Sequence, residues 1–319
     1  MPGPQRPTAI LLMAMGGPDS LANVEPYLKE VRGGRPTSPE LVHEIQERYR
    51  QTGGKSPVLE ITRQVARQLE QQLNGPGGER YRVFVGLRHW RPFIKDAFAE
   101  LMDDLPDQVI GICMAPQYST MSIGAYIKAV EDAKALVHDR APVSYVQSWH
   151  RHPKLIAAIA ANVQRGLELF PADRRTSVPI VFTAHSLPER ILEMKDPYPD
   201  EVRGTMDAVC AIVRPSIARL AFQSQGRTSE QWIGPSIESV VDELAAEGHR
   251  EILVAPVGFL CDHVEVTYDL DIELKARAQV AGVRLERIPM LNASSALVDT
   301  LADVVQQHES TLAAPSLAQ

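Results

Sequence analysis

Short apolar runs that alternate with longer amphipathic stretches are the feature of this sequence that most restricts its fold. Most of the runs are rich in Val and Ile, as are strands buried on both faces of a parallel sheet. The stretches between them repeat apolar residues at helical spacing, for example over residues 57–73 and 123–137. This alternation predicts an α/β protein with parallel sheets and right-handed crossovers. The predicted strands cover residues 9–13, 81–87, 109–114, 143–147, 178–183, 219–223, 252–257 and 285–290.

The predicted strands divide into two sets of four, within residues 9–147 and 178–290. A chain of 319 residues has room for two domains, since one domain takes roughly 150 residues. We therefore predict two doubly wound, Rossmann-like domains, each with a four-stranded parallel sheet, and a cleft between them. The expected boundaries are 8–150 and 151–294, with a last helix over 295–308 that can pack back on the N-terminal domain.

Charge and composition exclude several classes of protein. The chain has 33 basic and 40 acidic side chains, a net charge of −7, which makes it a poor candidate for a dedicated nucleic-acid-binding protein. No apolar run approaches the length of about 18 residues that a membrane span needs, and no targeting segment is visible. The cysteines Cys113, Cys210 and Cys261 lie far apart, which excludes a disulfide framework or a cysteine-built metal site within this chain. We expect a cytoplasmic protein.

A histidine lies just beyond the fifth predicted strand. In doubly wound folds, ligands bind beyond the carboxyl ends of the strands, so side chains there are the first candidates for a site. His185 occupies such a position, and its imidazole can accept a proton near neutral pH or bind a metal. The alternative, a structural histidine that caps the next helix, stays open for a lone histidine.

Three acidic residues recur at a spacing of four after the seventh predicted strand. Glu265, Asp269 and Glu273 share one face of the helix predicted over 264–281, since successive members drift by about 40° around the axis. Their carboxylates suit a divalent cation, although a solvated acidic face is the alternative. Like charges at this spacing repel each other by roughly 0.3 kcal/mol, which favours a functional reason for the row. Asp271 lies off this face and is expected to be exposed.

Three familiar motifs are incomplete in this sequence. The run GKS at 54–56 imitates the end of a phosphate-binding loop, but Tyr49 stands where that loop needs its first glycine. No G-x-G-x-x-G follows a predicted strand, so a nicotinamide or flavin site has no support. The run HVE at 263–265 has the H-x-E of zinc deaminases without their paired cysteines.

Other residues suit a flat ligand that carries carboxylates. Trp232 can be a core residue or a wall on which such a ligand stacks. Arg32, Arg35 and Arg48, together with Ser56, can bind carboxylates through paired hydrogen bonds. Exposed arginines with no ligand are the alternative for each of the three taken singly.

Eight motifs, in one order along the chain, carry a resemblance to a known family. They are MAMGGP at 13–18, QTGGKSP at 51–57, VGLRHWRP at 85–92, APQYS at 115–119, TAHSLPER at 183–190, DPYPDEV at 196–202, WIGP at 232–235 and PVGFLCDHVEVTYDLDIE at 256–273. With them, the chain resembles the ferrochelatases, which insert ferrous iron into a porphyrin in heme synthesis. The motifs span almost the whole chain, and AHSLP and the last motif are highly specific.

The resemblance implies a set of site residues. It implies that His185 and Glu265 are the catalytic pair, and that these two residues handle the metal together with Asp269 and Glu273. Ferrous iron is then a substrate, and no cofactor is expected to be tightly bound. An iron–sulfur cluster is not expected, because residues 119–121 lack a cysteine that cluster-binding members carry in this region. The residues implied to bind the porphyrin are Met15, Arg32, Arg48, Ser56, Arg88, His89, Tyr118 and Trp232.

The resemblance leaves the choice of porphyrin open. The stretch 31–41 is short and polar where membrane-associated members carry an apolar lip, and the arginines suit the four propionates of coproporphyrin III. We therefore expect coproporphyrin III as the substrate and coproheme as the product. Met15 stands where coproporphyrin-type members usually have a tyrosine, which favours protoporphyrin IX instead. A cobalt-inserting chelatase and a non-catalytic porphyrin or heme carrier are the remaining alternatives.

The expected partners are the porphyrin and ferrous iron, with no nucleic acid and no integral membrane segment. We expect a monomer. Transient contact with neighbouring enzymes of heme synthesis is left open.

Overall fold

Two four-stranded parallel sheets, one in each of two units of the chain, organise the structure. The computed structural model describes residues 6–137, 141–226 and 228–313. All eight predicted strands are present, and the predicted α/β class with two parallel sheets is confirmed. The first unit comprises Met1–Gly17, Val58–Lys154 and Asn292–Gln319, and the second comprises Pro18–Pro57 and Leu155–Leu291.

Strands and helices alternate along most of the described chain. No helix within those residues combines the length and the apolar character that a membrane crossing needs. In chain order the elements are β1 (Thr8–Ala14), α1 (Val24–Val31), α2 (Pro39–Gln51), α3 (Val58–Asn74), β2 (Tyr81–Leu87), α4 (Ile94–Asp103), β3 (Gln108–Cys113), α5 (Ile123–Lys134), β4 (Val143–Val146), α6 (Pro153–Leu167), β5 (Ile180–His185), α7 (Arg190–Glu193), α8 (Tyr198–Val213), β6 (Ala218–Gln223), α9 (Ile237–Ala246), β7 (Glu251–Ala255), α10 (Val264–Thr267), a π-helix (Asp269–Leu274), α11 (Lys275–Val280), β8 (Arg284–Arg287) and α12 (Ser295–Ala313).

The first unit is built on a sheet with the strand order β2-β1-β3-β4. Strand β1 is central, and every one of its residues is buried, as expected for a strand covered on both faces. Helices α4 and α5 contribute to the core on one face, where Phe98 and Val130 pack with Leu11. Helix α12 contacts α3 and β4. In the structure the last helix therefore belongs with the first unit.

The unit boundaries differ from the predicted domains in one long segment, and the other two boundaries lie within four residues of the predicted ones. We predicted residues 8–150 as one domain, whereas Pro18–Pro57 belongs to the second unit. One contact that joins this segment to the second unit lies in α2, where Arg48 forms an ion pair with Asp269 at 3.1 Å. An ion pair between residues so distant in sequence leaves no trace in local periodicity.

The second unit repeats the winding of the first. Its strand order is β6-β5-β7-β8, so β5 pairs with both β6 and β7, as β1 pairs with β2 and β3. The direction of winding therefore reverses between β5 and β7. In open α/β sheets this reversal opens a crevice at the carboxyl ends of the strands, where ligands bind. His185 ends β5 and thus lies at that point.

The helix that we predicted over 264–281 consists of three segments. Helix α10 gives way to a π-helix over Asp269–Leu274, which continues into α11. The amide of Glu273 donates to the carbonyl of Tyr268 at 2.9 Å, five residues earlier. Such π-helical turns are rare, occur inside α-helices and are frequent at functional sites. A repeat of four in the sequence cannot distinguish this geometry from a regular α-helix.

Candidate functional site

His185 and Glu265 lie side by side in the second unit. His185 ends β5, and Glu265 is in the first turn of α10, which follows β7. Nε2 of His185 is 3.6 Å from Oε1 of Glu265, and their side chains are 31% and 22% exposed. The structure thus brings together the two residues that the sequence selected from two different strand ends.

A second imidazole faces the other oxygen of Glu265. Nε2 of His263 lies 3.4 Å from Oε2, and the ring of Phe259 packs against the His263 ring with centroids 4.9 Å apart. His263 was not among the predicted site residues, although it lies within the motif at 256–273. Its position two residues before Glu265 was the signal that could have found it.

Backbone carbonyls fix the orientation of both imidazoles. Nδ1 of His185 bonds to the carbonyl of Ser186, and Nδ1 of His263 bonds to the carbonyl of Cys261 at 3.0 Å. Because a carbonyl oxygen only accepts, Nδ1 carries the hydrogen in each ring. When the rings are neutral, both Nε2 lone pairs therefore face the Glu265 carboxylate. A proton or a metal cation between these atoms turns that repulsion into attraction.

The electrostatics of the pair favour a bound proton. Burial lowers the pKa of His185, whereas the Glu265 carboxylate and the Ser186 carbonyl raise it. The upward effects together exceed the effect of burial, so the net shift is upward. Burial raises the pKa of the Glu265 carboxyl, whereas His185 and His263 hold it well below its usual range. The two directions agree, since both describe an imidazolium beside a carboxylate.

Neighbouring side chains fix the backbone on each side of the pair. The hydroxyl of Tyr198 donates to the carbonyl of His185 at 2.9 Å. The amide nitrogen of Gln223 donates to the carbonyl of Glu265 at 2.6 Å. Both carbonyls are held by buried residues, which restricts the movement of the side chains that carry the chemistry.

The acidic row continues from Glu265 toward solvent. The Asp269 side chain is 16% exposed and that of Glu273 is 58% exposed. Asp269 accepts a hydrogen bond from the hydroxyl of Ser224 at 2.6 Å. A carboxylate this buried and this well bonded does not fit the alternative of a plain solvated face.

Asp269 titrates closer to neutrality than an ordinary aspartate. Burial raises its pKa to about 6, with a further upward contribution from the charge of Glu265, against the opposing effects of Ser224 and Arg48. A cation that binds there therefore competes with a proton below that pH.

Arg48 lies against this row. Its guanidinium is 3.1 Å from Asp269, 3.1 Å from Glu44 and 3.9 Å from Glu273, and it stacks 4.8 Å from the centroid of the Tyr268 ring. In the structure the Arg48 guanidinium is the counter-ion of the acidic row, and its binding of the porphyrin stays a prediction. The ion pair spans 221 residues of sequence, which explains why sequence spacing did not predict it.

Asp271 and Ser224, two neighbours of the row, are both fixed by specific contacts. We expected Asp271 to be exposed, but it forms a two-point ion pair with Arg287 at 2.8 and 2.7 Å. Ser224, the residue after β6, adopts a φ of 59°, in the left-handed region that residues other than glycine seldom occupy. Its hydroxyl is the one that bonds to Asp269.

Trp232 stands beside His185 as a half-buried aromatic side chain. The two ring centroids are 6.3 Å apart, and the indole nitrogen donates to Thr228 at 3.0 Å. A Cβ at Gly226 would lie 2.4 Å from the indole ring, so only glycine permits this approach of the backbone. The predicted role as an aromatic wall is compatible with this position.

Arg32 and Ser56 also belong to the second unit. Arg32 follows α1 and is half-buried, and its Nε has no hydrogen-bond partner within the described residues. Ser56 is buried, and its amide donates to the carbonyl of Pro18 at 2.7 Å. Arg35, three residues after Arg32, is exposed and donates to the Arg32 carbonyl at 3.1 Å.

Four other predicted residues gather at the carboxyl edge of the first sheet. Met15 follows β1 and is 36% exposed. Arg88 and His89 follow β2, and their amides donate to the carbonyls of Ala14 and Met15, both at 3.0 Å. Tyr118 follows β3 and is half-buried.

The described residues form no ready-made metal site. Within residues 6–137, 141–226 and 228–313, no group of three or more His, Cys, Asp or Glu side chains has the arrangement that holds a metal ion. The three cysteines are free thiols.

Comparisons with known proteins agree on one family. A sequence model described as Ferrochelatase matches residues 7–309. The Ferrochelatase of Herpetosiphon aurantiacus is 42% identical over 298 residues, which are 93% of this chain and 98% of that protein. The Coproporphyrin III ferrochelatase 1 of Bacillus anthracis is 38% identical over 302 residues, 93% of this chain and 96% of that protein. The Coproporphyrin III ferrochelatase of Bacillus subtilis (strain 168) is 36% identical over 299 residues, with the same two coverages of 93% and 96%.

A solved structure shows the same fold at low sequence identity. The sirohydrochlorin chelatase SirB from Bacillus subtilis subspecies spizizenii, in complex with cobalt, aligns with a TM-score of 0.56 and 10% identity over 96% of each chain. At this identity the likeness concerns the fold alone.

Proposed function

This chain belongs to the ferrochelatase family, and we propose that the porphyrin into which it inserts ferrous iron is coproporphyrin III. Membership makes it a lyase of heme biosynthesis that inserts metal into porphyrin. The non-catalytic carrier and the cobalt-inserting chelatase, which the sequence left as alternatives, do not fit this family. The proposal therefore concerns the porphyrin and the residues that act on it.

The residues near α1 support the larger acidic porphyrin. Coproporphyrin III carries four propionates, two more than protoporphyrin IX, and a buried carboxylate needs a cationic partner. Arg32 brings a half-buried guanidinium whose Nε is buried and has no hydrogen-bond partner among the described residues, and Arg35 is exposed close by. Two of the relatives, both from Bacillus, are named coproporphyrin III ferrochelatases. Met15 supports the second candidate, protoporphyrin IX, because a thioether cannot provide the oxygen of a tyrosine at this position.

A direct comparison of the two porphyrins tests this proposal. We expect kcat/KM to be about tenfold higher for coproporphyrin III than for protoporphyrin IX, because charged hydrogen bonds to extra propionates contribute roughly 1.5–3 kcal/mol. Both porphyrins are to be assayed anaerobically on one preparation in the same detergent. Arg32→Ala should reduce the preference, whereas Arg63→Ala, which changes an exposed arginine of α3, should preserve it. A preference of the wild type for protoporphyrin would reject coproporphyrin as the substrate and leave the family assignment intact.

The pair of His185 and Glu265 is the observation on which our proposed chemistry depends. Metal insertion releases two pyrrole protons, so the site needs an acceptor near the porphyrin nitrogens. Nε2 of His185 accepts the two protons one after the other and passes each to solvent, and the carboxylate of Glu265, 3.6 Å away, stabilises the imidazolium that forms each time. Trp232, beside His185, offers an aromatic surface to the macrocycle.

The acidic row supplies the iron in this proposal. Asp269 and Glu273 lie beyond Glu265 and become progressively more exposed, which offers oxygen ligands along a path from solvent. Arg48 neutralises the row when no metal is there. An incoming ferrous ion then displaces the guanidinium and takes over its carboxylate partners.

Neutral substitutions in the row are expected to weaken iron binding. Asp269→Asn combined with Glu273→Gln should raise the KM for ferrous iron about tenfold, and lower kcat by a smaller factor. The matched control is Glu238→Gln combined with Asp242→Asn, two exposed acids with the same spacing on α9. Initial rates as a function of iron concentration measure the effect.

The pH dependence gives the same variants a second readout. Because the pKa of Asp269 is raised to about 6, the wild-type KM for iron should fall as the pH rises through that value and the carboxylate loses its proton. Asp269→Asn should flatten this profile. If the KM for ferrous iron were unchanged in the double variant, the row would be an ordinary acidic surface with no role in iron supply.

A further inference from the structure

Arg287 forms a half-buried junction below the acidic row. It is the last residue of β8, and its side chain is 14% exposed. Nε and Nη2 bond to the two oxygens of Asp271 at 2.8 and 2.7 Å. Nη2 also lies 3.3 Å from Asp262, and Nη1 donates to the carbonyl of Ile288 at 3.0 Å. All three guanidinium nitrogens therefore have partners.

The two carboxylates bracket the segment that carries the site. Asp262 directly precedes His263, and Asp271 lies in the π-helix between Asp269 and Glu273. One guanidinium thus ties both ends of residues 262–271 to the end of β8. Neither Asp262, Asp271 nor Arg287 lies among the residues to which the proposed chemistry assigns a role.

The π-helix is the element that needs such an anchor. It holds one more residue in its turn than an α-helix, and such a turn is short and rare because its hydrogen bonds are less favourable. If it relaxed to an α-helix, residues beyond the extra one would rotate by about 100° around the axis relative to those before it. Asp269 and Glu273 would still share a face, but Glu273 would turn away from Glu265 at the start of the row. A two-point Arg–Asp contact has the directionality to prevent this rotation.

We propose that Arg287 is a positioning residue for metal handling, which holds the π-helix in register through Asp271 and the His263 loop through Asp262. It does not touch the substrates and acts through the carboxylates that it orients. The inference rests on the proposed role of Asp269 and Glu273 in iron supply.

The test separates iron kinetics from porphyrin kinetics. Arg287→Gln is expected to raise the KM for ferrous iron about tenfold while the KM for the porphyrin changes less than about twofold. Asp271→Asn, which keeps Arg287 and its contact with Asp262, should raise the iron KM in the same direction by a smaller factor. The matched control is Arg284→Gln on the same strand, where the guanidinium bonds to Glu286 and the Leu169 carbonyl and not to the π-helix.

Each outcome decides the proposal. The proposal would be overturned if Arg287→Gln raised both KM values equally, or if Arg284→Gln raised the iron KM as much as Arg287→Gln does. Arg287 would then only contribute to the stability of the fold. If Arg287→Gln does not fold, Asp271→Asn decides alone, since its partly exposed carboxylate can be neutralised at lower cost; an unchanged iron KM then overturns the proposal.

The acidic-row double variant distinguishes a failure of the proposed iron supply from a failure of the positioning role alone. If Asp269→Asn with Glu273→Gln leaves the iron KM unchanged, the proposed iron supply fails and Arg287 loses its role with it. If that variant raises the iron KM and the Arg287 and Asp271 variants do not, only the positioning role fails.

Discussion

Replacement of His185 by alanine is expected to lower the kcat of iron insertion by about three orders of magnitude, within the range found when a general base is removed. The reason is the orientation of the ring. Nδ1 is committed to the Ser186 carbonyl, so Nε2 is the atom that can receive a pyrrole proton, and it lies at the carboxyl end of β5 beside Glu265. Alanine removes this base, and the other imidazole of the site, His263, lies at the opposite oxygen of Glu265. The loss of porphyrin absorbance under anaerobic conditions measures the rate.

Two controls keep this result specific. His249→Ala changes a histidine of the same unit that precedes β7, at the opposite end of the strands, and should retain the wild-type rate. Thermal unfolding and porphyrin binding by fluorescence should show that His185→Ala remains folded and still binds the ring. Turnover of the alanine variant near the wild-type rate would remove His185 from the chemistry.

Glu265→Gln is expected to lower kcat by about two orders of magnitude and to shift the pH profile of the remaining activity. The carboxylate raises the pKa of His185, and its loss lets burial lower that pKa instead. Insertion needs a neutral His185, so the rate of the wild type should rise with pH through the raised pKa. In the glutamine variant the same rise should occur at lower pH. A kcat profile from acid to alkaline pH measures both effects.

A second Glu–His pair provides the matched control for this variant. Glu247 lies 3.8 Å from Nε2 of His249 on the surface of the same unit, and Glu247→Gln should change neither the rate nor its pH profile. If Glu265→Gln lowers kcat and leaves the profile where it was, His185 is not the group whose titration limits insertion.

The sheets could be predicted from sequence because parallel strands buried on both faces must be continuous apolar runs. The same logic selected His185 and the segment that holds Glu265, since a site in this fold lies beyond strand ends. These inferences depend on short stretches of chain and on one general rule of topology. They needed no knowledge of which strands are neighbours.

The ion pairs around the site could not be predicted from local sequence patterns. Arg48 pairs with Asp269, and Arg287 pairs with Asp271, and in each pair the two side chains meet only after the chain has folded. His263 was not predicted as a site residue, because a histidine two residues before a glutamate indicates a site only when both side chains face each other in the fold. The π-helix was missed because a spacing of four satisfies an α-helix equally well.

The locked ring of His185 has a consequence for the order of events during turnover. Because Nδ1 is bound to the backbone, only the Nε2 lone pair remains, and a proton and a ferrous ion compete for it. The residue can serve as a base or as a ligand, but never as both at one moment. Protons should therefore act as competitive inhibitors of any step in which iron binds to Nε2. In each catalytic cycle, the proton must leave Nε2 before the next ferrous ion can bind there.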